Sequence, residues 1–107
     1  MRDVRVTVLG TAQDGGVPQP GCARECCLRV RANDALRRHP VSLGIVGADG
    51  STHLIEASRS IGEQFEIWHS VDPVEGALSS LSITHAHLGH VDGLGLFGKE
   101  AMGAHHL

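Results

Sequence analysis

The chain of 107 residues contains no tyrosine, and its aromatic residues are confined to Phe65, Trp68 and Phe97. A core built from it rests on Val, Leu, Ile and Ala, with three large fillers. Basic charge is also in short supply: 9 Lys and Arg stand against 12 Asp and Glu, a net charge of -3 with the histidines neutral. That balance excludes a general nucleic-acid binder, which needs a basic face to displace counterions. Arg24, Arg29, Arg31, Arg37 and Arg38 form a local cluster, but Glu25 and Asp34 dilute it. No run approaches the ~20 apolar residues that cross a bilayer. Met1-Arg2-Asp3 leads straight into a strand-like run, with no apolar signal segment. The expectation is a cytoplasmic protein with no membrane or nucleic-acid partner. Cys22, Cys26 and Cys27 are odd in number and bunched together, which suits no disulfide framework.

What is present is enough to fold. A hydrophobic content of 41% places the chain among globular proteins, and its length allows one domain over 1–107. Val4 to Leu9 alternates and is β-branched, which predicts a first strand. The following Gly10–Gly21 stretch is too rich in Gly and Pro for a helix or strand. Ala23 to Ala35 predicts a short helix with an arginine-rich outer face. Ser42–Gly47 and Thr52–Ala57 predict strands about Asp49-Gly50, a hairpin signal. Ser58 or Ser60 caps a helix reaching about His69, which buries Ile61, Phe65 and Trp68 at i, i+4, i+7. After a loop over 72–77, Leu78–Thr84 predicts a strand and Val91–Met102 a final helix. This order predicts an α/β fold, a mixed sheet with helices on one face. The residues from Gly103 lead toward a further strand, so the chain is expected to end part-way through its fold.

The densest chemistry lies in Thr84-His85-Ala86-His87-Leu88-Gly89-His90. Neutral imidazole is the commonest nitrogen ligand of zinc, and side chains alternate along a strand, so His85 and His87 point to one side. A turn at His90 brings a third ring toward them. Asp92 is the nearest carboxylate: it orients a ring or water, or it sits at a helix start for the sake of the dipole. Cys22 and Cys26 share a helix face, and with Cys27 they either hold a structural zinc or are buried and inert. Thiol redox chemistry is a third option for them. Asp14 either faces the site from its loop or is a turn residue. The loop is no dinucleotide fingerprint, because G-x-G-x-x-G is absent.

The histidine run resembles the H-x-H-x-D-H signature of the metallo-β-lactamase superfamily, followed by Val91-Asp92-Gly93-Leu94 at a helix start. Val8 to Gln19, then Gly21-Cys22 and Cys26-Cys27, resemble the opening of coenzyme PQQ biosynthesis protein B-like members. Leu96 to Gly103 is similar to their helix after the histidines. The resemblance covers nearly all of this chain but only the first part of such a member. It implies the N-terminal half of a four-layer αββα sandwich with a metal site at its edge. It carries one metal onto His85 and His87 and a second onto His90. Gly89 stands where the signature has an aspartate, which leaves the second position a ligand short. Glu56 is placed like an acidic residue of relatives that supports the histidines through hydrogen bonds, the other option being a helix entrance.

The implied activity is metal-dependent hydrolysis, with bound hydroxide attacking an ester, phosphodiester or similar bond of a small-molecule substrate. Zinc is the expected metal, with iron or manganese as alternatives. The other reading is a non-catalytic metal-binding or assembly module that completes its fold as a homodimer or with a missing C-terminal half.

Overall fold

The computed structural model describes residues 3–72, 78–105 and 107. Its order is β1 (Arg5–Gly10), α1 (Glu25–Ala32), a 3-10 turn at Asp34–Leu36, β2 (Ser42–Val46), β3 (Thr52–Ile55), α2 (Ile61–Val71), β4 (Ser80–Ser82), α3 (Leu88–Val91) and a 3-10 turn at Leu94–Phe97. The strands form one sheet in the order β1-β2-β3-β4. β1 and β2 are antiparallel, β2 and β3 form the expected hairpin, and β3 pairs with β4 in parallel. At the hairpin tip the Ser51 hydroxyl and amide bind the Asp49 carboxylate and hold it below its ordinary pKa.

Alternation along the strands sorts side chains onto two faces. On one face Val46, Thr52 and Leu54 are buried, and α2 covers them. The Trp68 ring lies over Gly44, where a Cβ would meet its atoms. Phe65 stacks beside Trp68 at 6.1 Å and meets Phe97 edge-on at 6.4 Å, so the three large fillers act as one group. The helix is fastened by a buried polar link as well as by apolar burial. Gln64 donates from Nε2 to Pro40 O at 2.8 Å and to Leu9 O at 3.3 Å, and accepts from the Ser58 hydroxyl at 2.7 Å. The other face is open: Val6 and Val8 are 59% and 56% exposed, and Leu43, Ile45 and Ile55 beside them are half-buried.

Four expectations change. The helix predicted over Val91–Met102 does not form. One turn ends at Val91, and the Gly93 amide donates to Ala57 O at 2.8 Å instead of continuing a helical ladder. Glycines at 93, 95 and 98 disfavour a helix that tertiary bonds do not support. The strand predicted over Leu78–Thr84 is reduced to Ser80–Ser82, which pairs with His53, Leu54 and Ile55 of β3. The helix predicted from Ala23 is also shorter, and Ser60 makes no side-chain cap on α2. The predicted loop over 72–77 falls, beyond Asp72, outside the described residues.

Strand direction positions the site. β1 runs antiparallel to β2, and β2 antiparallel to β3, so β1, β3 and β4 all point the same way. Their C-terminal ends share one edge of the sheet, where open α/β sheets gather ligands. The loop after β1 carries Asp14, the chain after β3 carries Glu56, and the turn after β4 carries His85, His87 and His90. Among the described residues no helix is long and apolar enough to cross a membrane.

Candidate metal centre

Glu56 is the anchor of this edge. It is 2% exposed and takes a left-handed backbone with φ of 73° directly after β3. Its amide donates to Ser82 O at 2.9 Å, which extends the β3–β4 pairing by one bond. A buried carboxylate needs donors on both oxygens. Oε1 accepts the Thr84 amide at 2.7 Å; Oε2 accepts the Thr84 hydroxyl at 2.9 Å and also bonds His90 Nδ1.

These bonds determine which ring nitrogens are free. An ionised carboxylate only accepts, so His90 donates from Nδ1 and its Nε2 carries the lone pair. The single hydroxyl proton of Thr84 goes to Glu56. The hydroxyl therefore accepts from His85 Nδ1, 2.8 Å away, and His85 also presents Nε2. The rings converge, with His85 4.1 Å from His90 and 4.6 Å from His87 between centroids. Ligating atoms of Glu56, His85 and His90 lie within 4.8 Å of one another. Asp14 completes the edge: Oδ2 accepts the Gly89 amide at 3.1 Å, and Oδ1 lies 3.2 Å from His90 Nε2.

The turn is held in place by its backbone. The Ala57 amide donates to His90 O at 2.9 Å, the Gly93 amide returns to Ala57 O, and His90 N bonds His87 O at 3.0 Å. Gly93 is required there, because a Cβ would collide with Ser58 O. Imidazole Nε2 atoms with a carboxylate behind the cluster form the donor set that divalent zinc, iron or manganese accepts. The residues therefore fit a metal.

Each residue singled out by sequence has a definite place. His85 and His87 are exposed and His90 is half-buried. Glu56 is bonded within the cluster, and Asp14 faces it from the first loop. Asp92 pairs with Arg59 at 2.7 Å, and its Oδ1 is buried with no partner among the described residues. It makes no ion pair with a histidine there. The three cysteines come together at the start of α1, with their sulfurs within 4.8 Å of one another. Cys27 is buried and accepts the Gln19 amide at 3.3 Å; Cys26 is exposed. Arg31 braces this corner by bonding Gln19 O and Cys22 O. Thr84 was not anticipated, and neither was Arg59. Nothing in the spacing marks Thr84 as the link between Glu56 and His85, because that role depends on β4 lying beside β3. A separate apolar cavity of about 750 Å³ lies against α2, between Phe65, Trp68, Leu78, Phe97 and Met102.

No family model matches the chain. It is 41% identical over 76 residues to coenzyme PQQ synthesis protein B of Rhodopseudomonas palustris (strain BisB5), an alignment covering 70% of this chain and 24% of that protein. It is 35% identical over 97 residues to the protein of the same name from Methylobacterium radiotolerans, covering 85% of this chain and 32% of the relative. The chain thus spans between a quarter and a third of the length of the curated relatives it matches. Among solved structures, it is similar to a diphosphatase from the PhnP family, with a TM-score of 0.68 and 26% identity over 88% of this chain and 34% of that one. It shares the fold of Zn(2+)-bound PqqB from Methylobacterium extorquens, with a TM-score of 0.73 and 24% identity, covering 90% of this chain and 34% of that one.

Proposed function

We propose that this chain, a PQQ synthesis protein B-like member of the metallo-β-lactamase superfamily over the part it spans, carries the metal-binding edge of a metal-dependent hydrolase. The observation that supports this best is the Glu56–Thr84 network, which leaves Nε2 of both His85 and His90 as the nitrogen able to bind a cation. His85, His87 and His90 would supply the imidazole ligands of this edge, and zinc is the first choice because the PqqB neighbour is Zn(2+)-bound. Such a cation polarises an ester or phosphodiester and makes a water molecule acidic near neutral pH. The protein's own part is positional. Glu56 sets the tautomer of His90, Thr84 sets that of His85, and the Ala57–Gly93 backbone pair keeps the turn at the sheet edge. Cys22, Cys26 and Cys27 would hold a structural zinc, a role for which thiolates are suited.

The test is hydrolysis of bis(4-nitrophenyl) phosphate and 4-nitrophenyl acetate by protein stripped with a chelator and then resupplied with zinc. Turnover above that of free zinc at equal concentration is expected, and it should disappear on stripping. Identical rates with and without protein would overturn the hydrolase reading.

A second reading is favoured by the open sheet face. Val6 and Val8 expose apolar surface beside half-buried Leu43, Ile45 and Ile55, more than isolated surface residues would. A second copy of the chain laid on this face would make a non-catalytic metal-binding assembly. Solution scattering over a wide concentration range should then show a dimer that Val6→Lys/Val8→Lys dissociates. A strictly monomeric wild-type protein at high concentration excludes it.

A further inference from the structure

Gly89 and Asp14 occupy one space between them. A Cβ built on Gly89 would fall onto Cα, Cβ and Cγ of Asp14. A side chain at position 89 and the present course of the first loop therefore exclude each other. What fills that space is a carboxylate directed into the histidine turn. The Gly89 amide holds Oδ2 at 3.1 Å and leaves Oδ1 3.2 Å from His90 Nε2. His90 keeps its proton on Nδ1 and donates it in a hydrogen bond to Glu56, so the nitrogen facing Asp14 is the lone-pair nitrogen. Two acceptors at that distance repel each other unless positive charge lies between them.

We propose that Asp14 supplies, from the loop after β1, the carboxylate ligand that the histidine turn lacks at Gly89. Asp14 and His90 then hold a second divalent cation beside the position served by His85 and His87. The inference rests on the metal-binding reading above and goes beyond it in assigning a ligand from a different loop. The spacing agrees, since nitrogen and oxygen ligands about 2.1 Å from one cation stand roughly 3.0–3.4 Å apart. Access agrees as well, because the Asp14 side chain is 42% exposed. The exclusion also explains why both residues belong together: a glycine at 89 is the condition for the loop carboxylate to reach His90.

The experiment is calorimetric titration of the metal-free protein with Co²⁺, followed by visible absorption. Thiolate charge-transfer bands identify any cobalt held by the cysteines, and only the other equivalents are counted. Wild type should bind two such equivalents. Asp14→Asn keeps the size of the side chain and an acceptor for the Gly89 amide but removes the charge. It should weaken one equivalent at least about tenfold and leave the other unchanged, with the thermal midpoint of the metal-free protein preserved. Gly89→Ala, which pushes the loop away, should lose the same equivalent. A single non-thiolate equivalent in wild type overturns the inference, and so does Asp14→Asn binding both as wild type does. In either case the metal-binding reading stands. Absence of any non-thiolate cobalt in wild type removes both.

Discussion

Replacing His85 and His87 together by alanine is expected to remove the cation proposed for those two rings. Both rings are exposed, and they touch Thr84, His90 and one another rather than the apolar core. Their removal should therefore leave stability within about 0.5 kcal/mol of wild type, as for other surface substitutions. The loss of metal is the large effect, because both imidazole ligands of that position disappear at once. Elemental analysis of the purified variant against wild type, after accounting for thiol-bound metal, measures it directly. Equal metal content in both proteins, with both folded, would remove the central claim.

Glu56→Gln should weaken metal binding about 10–100-fold without touching a ligand. Gln can still accept the Thr84 amide through its oxygen. Its nitrogen then faces the Thr84 hydroxyl and His90 Nδ1 and donates to both. His90 must accept at Nδ1 and carry its proton on Nε2, the wrong tautomer for binding a cation. Glu56→Ala is the harsher change. It leaves the part-buried Thr84 amide and His90 Nδ1 without their acceptor and should cost about 1 kcal/mol as well. Nitrogen NMR of the imidazoles distinguishes the tautomers, and denaturant unfolding separates the two variants. A Glu56→Gln protein that retains both wild-type metal affinity and the Nδ1–H form of His90 would show that the carboxylate does not set the ring.

Legibility differed by residue for physical reasons. His85, His87 and His90 were readable because they lie within six positions, and a strand followed by a turn brings such neighbours together whatever the rest of the chain does. The hairpin about Asp49-Gly50 and the helix containing Ile61 and Trp68 were readable for the same local reason. The final helix was not. Leu96 to Gly103 resembled the helix of relatives, but glycines and the Ala57 carbonyl ended the helix after one turn. Glu56 and Asp14 were named as supporting residues with their roles open. Their partners lie 28 to 75 positions away, and no periodicity spans such a gap.

The amino-acid sequence by itself therefore determined an α/β chain with a mixed sheet, the three histidines and the cysteine cluster, all features set by short-range spacing and burial pattern. The tertiary structure alone decided which nitrogen of His85 and His90 is available. It also decided that Asp92 turns to Arg59 and that a carboxylate from the first loop stands where Gly89 has no side chain. Those outcomes depend on β1, β3 and β4 pointing the same way, so that three loops distant in sequence meet at one edge. Hydrogen-bond direction there follows from how few protons Thr84 and the two rings have to give.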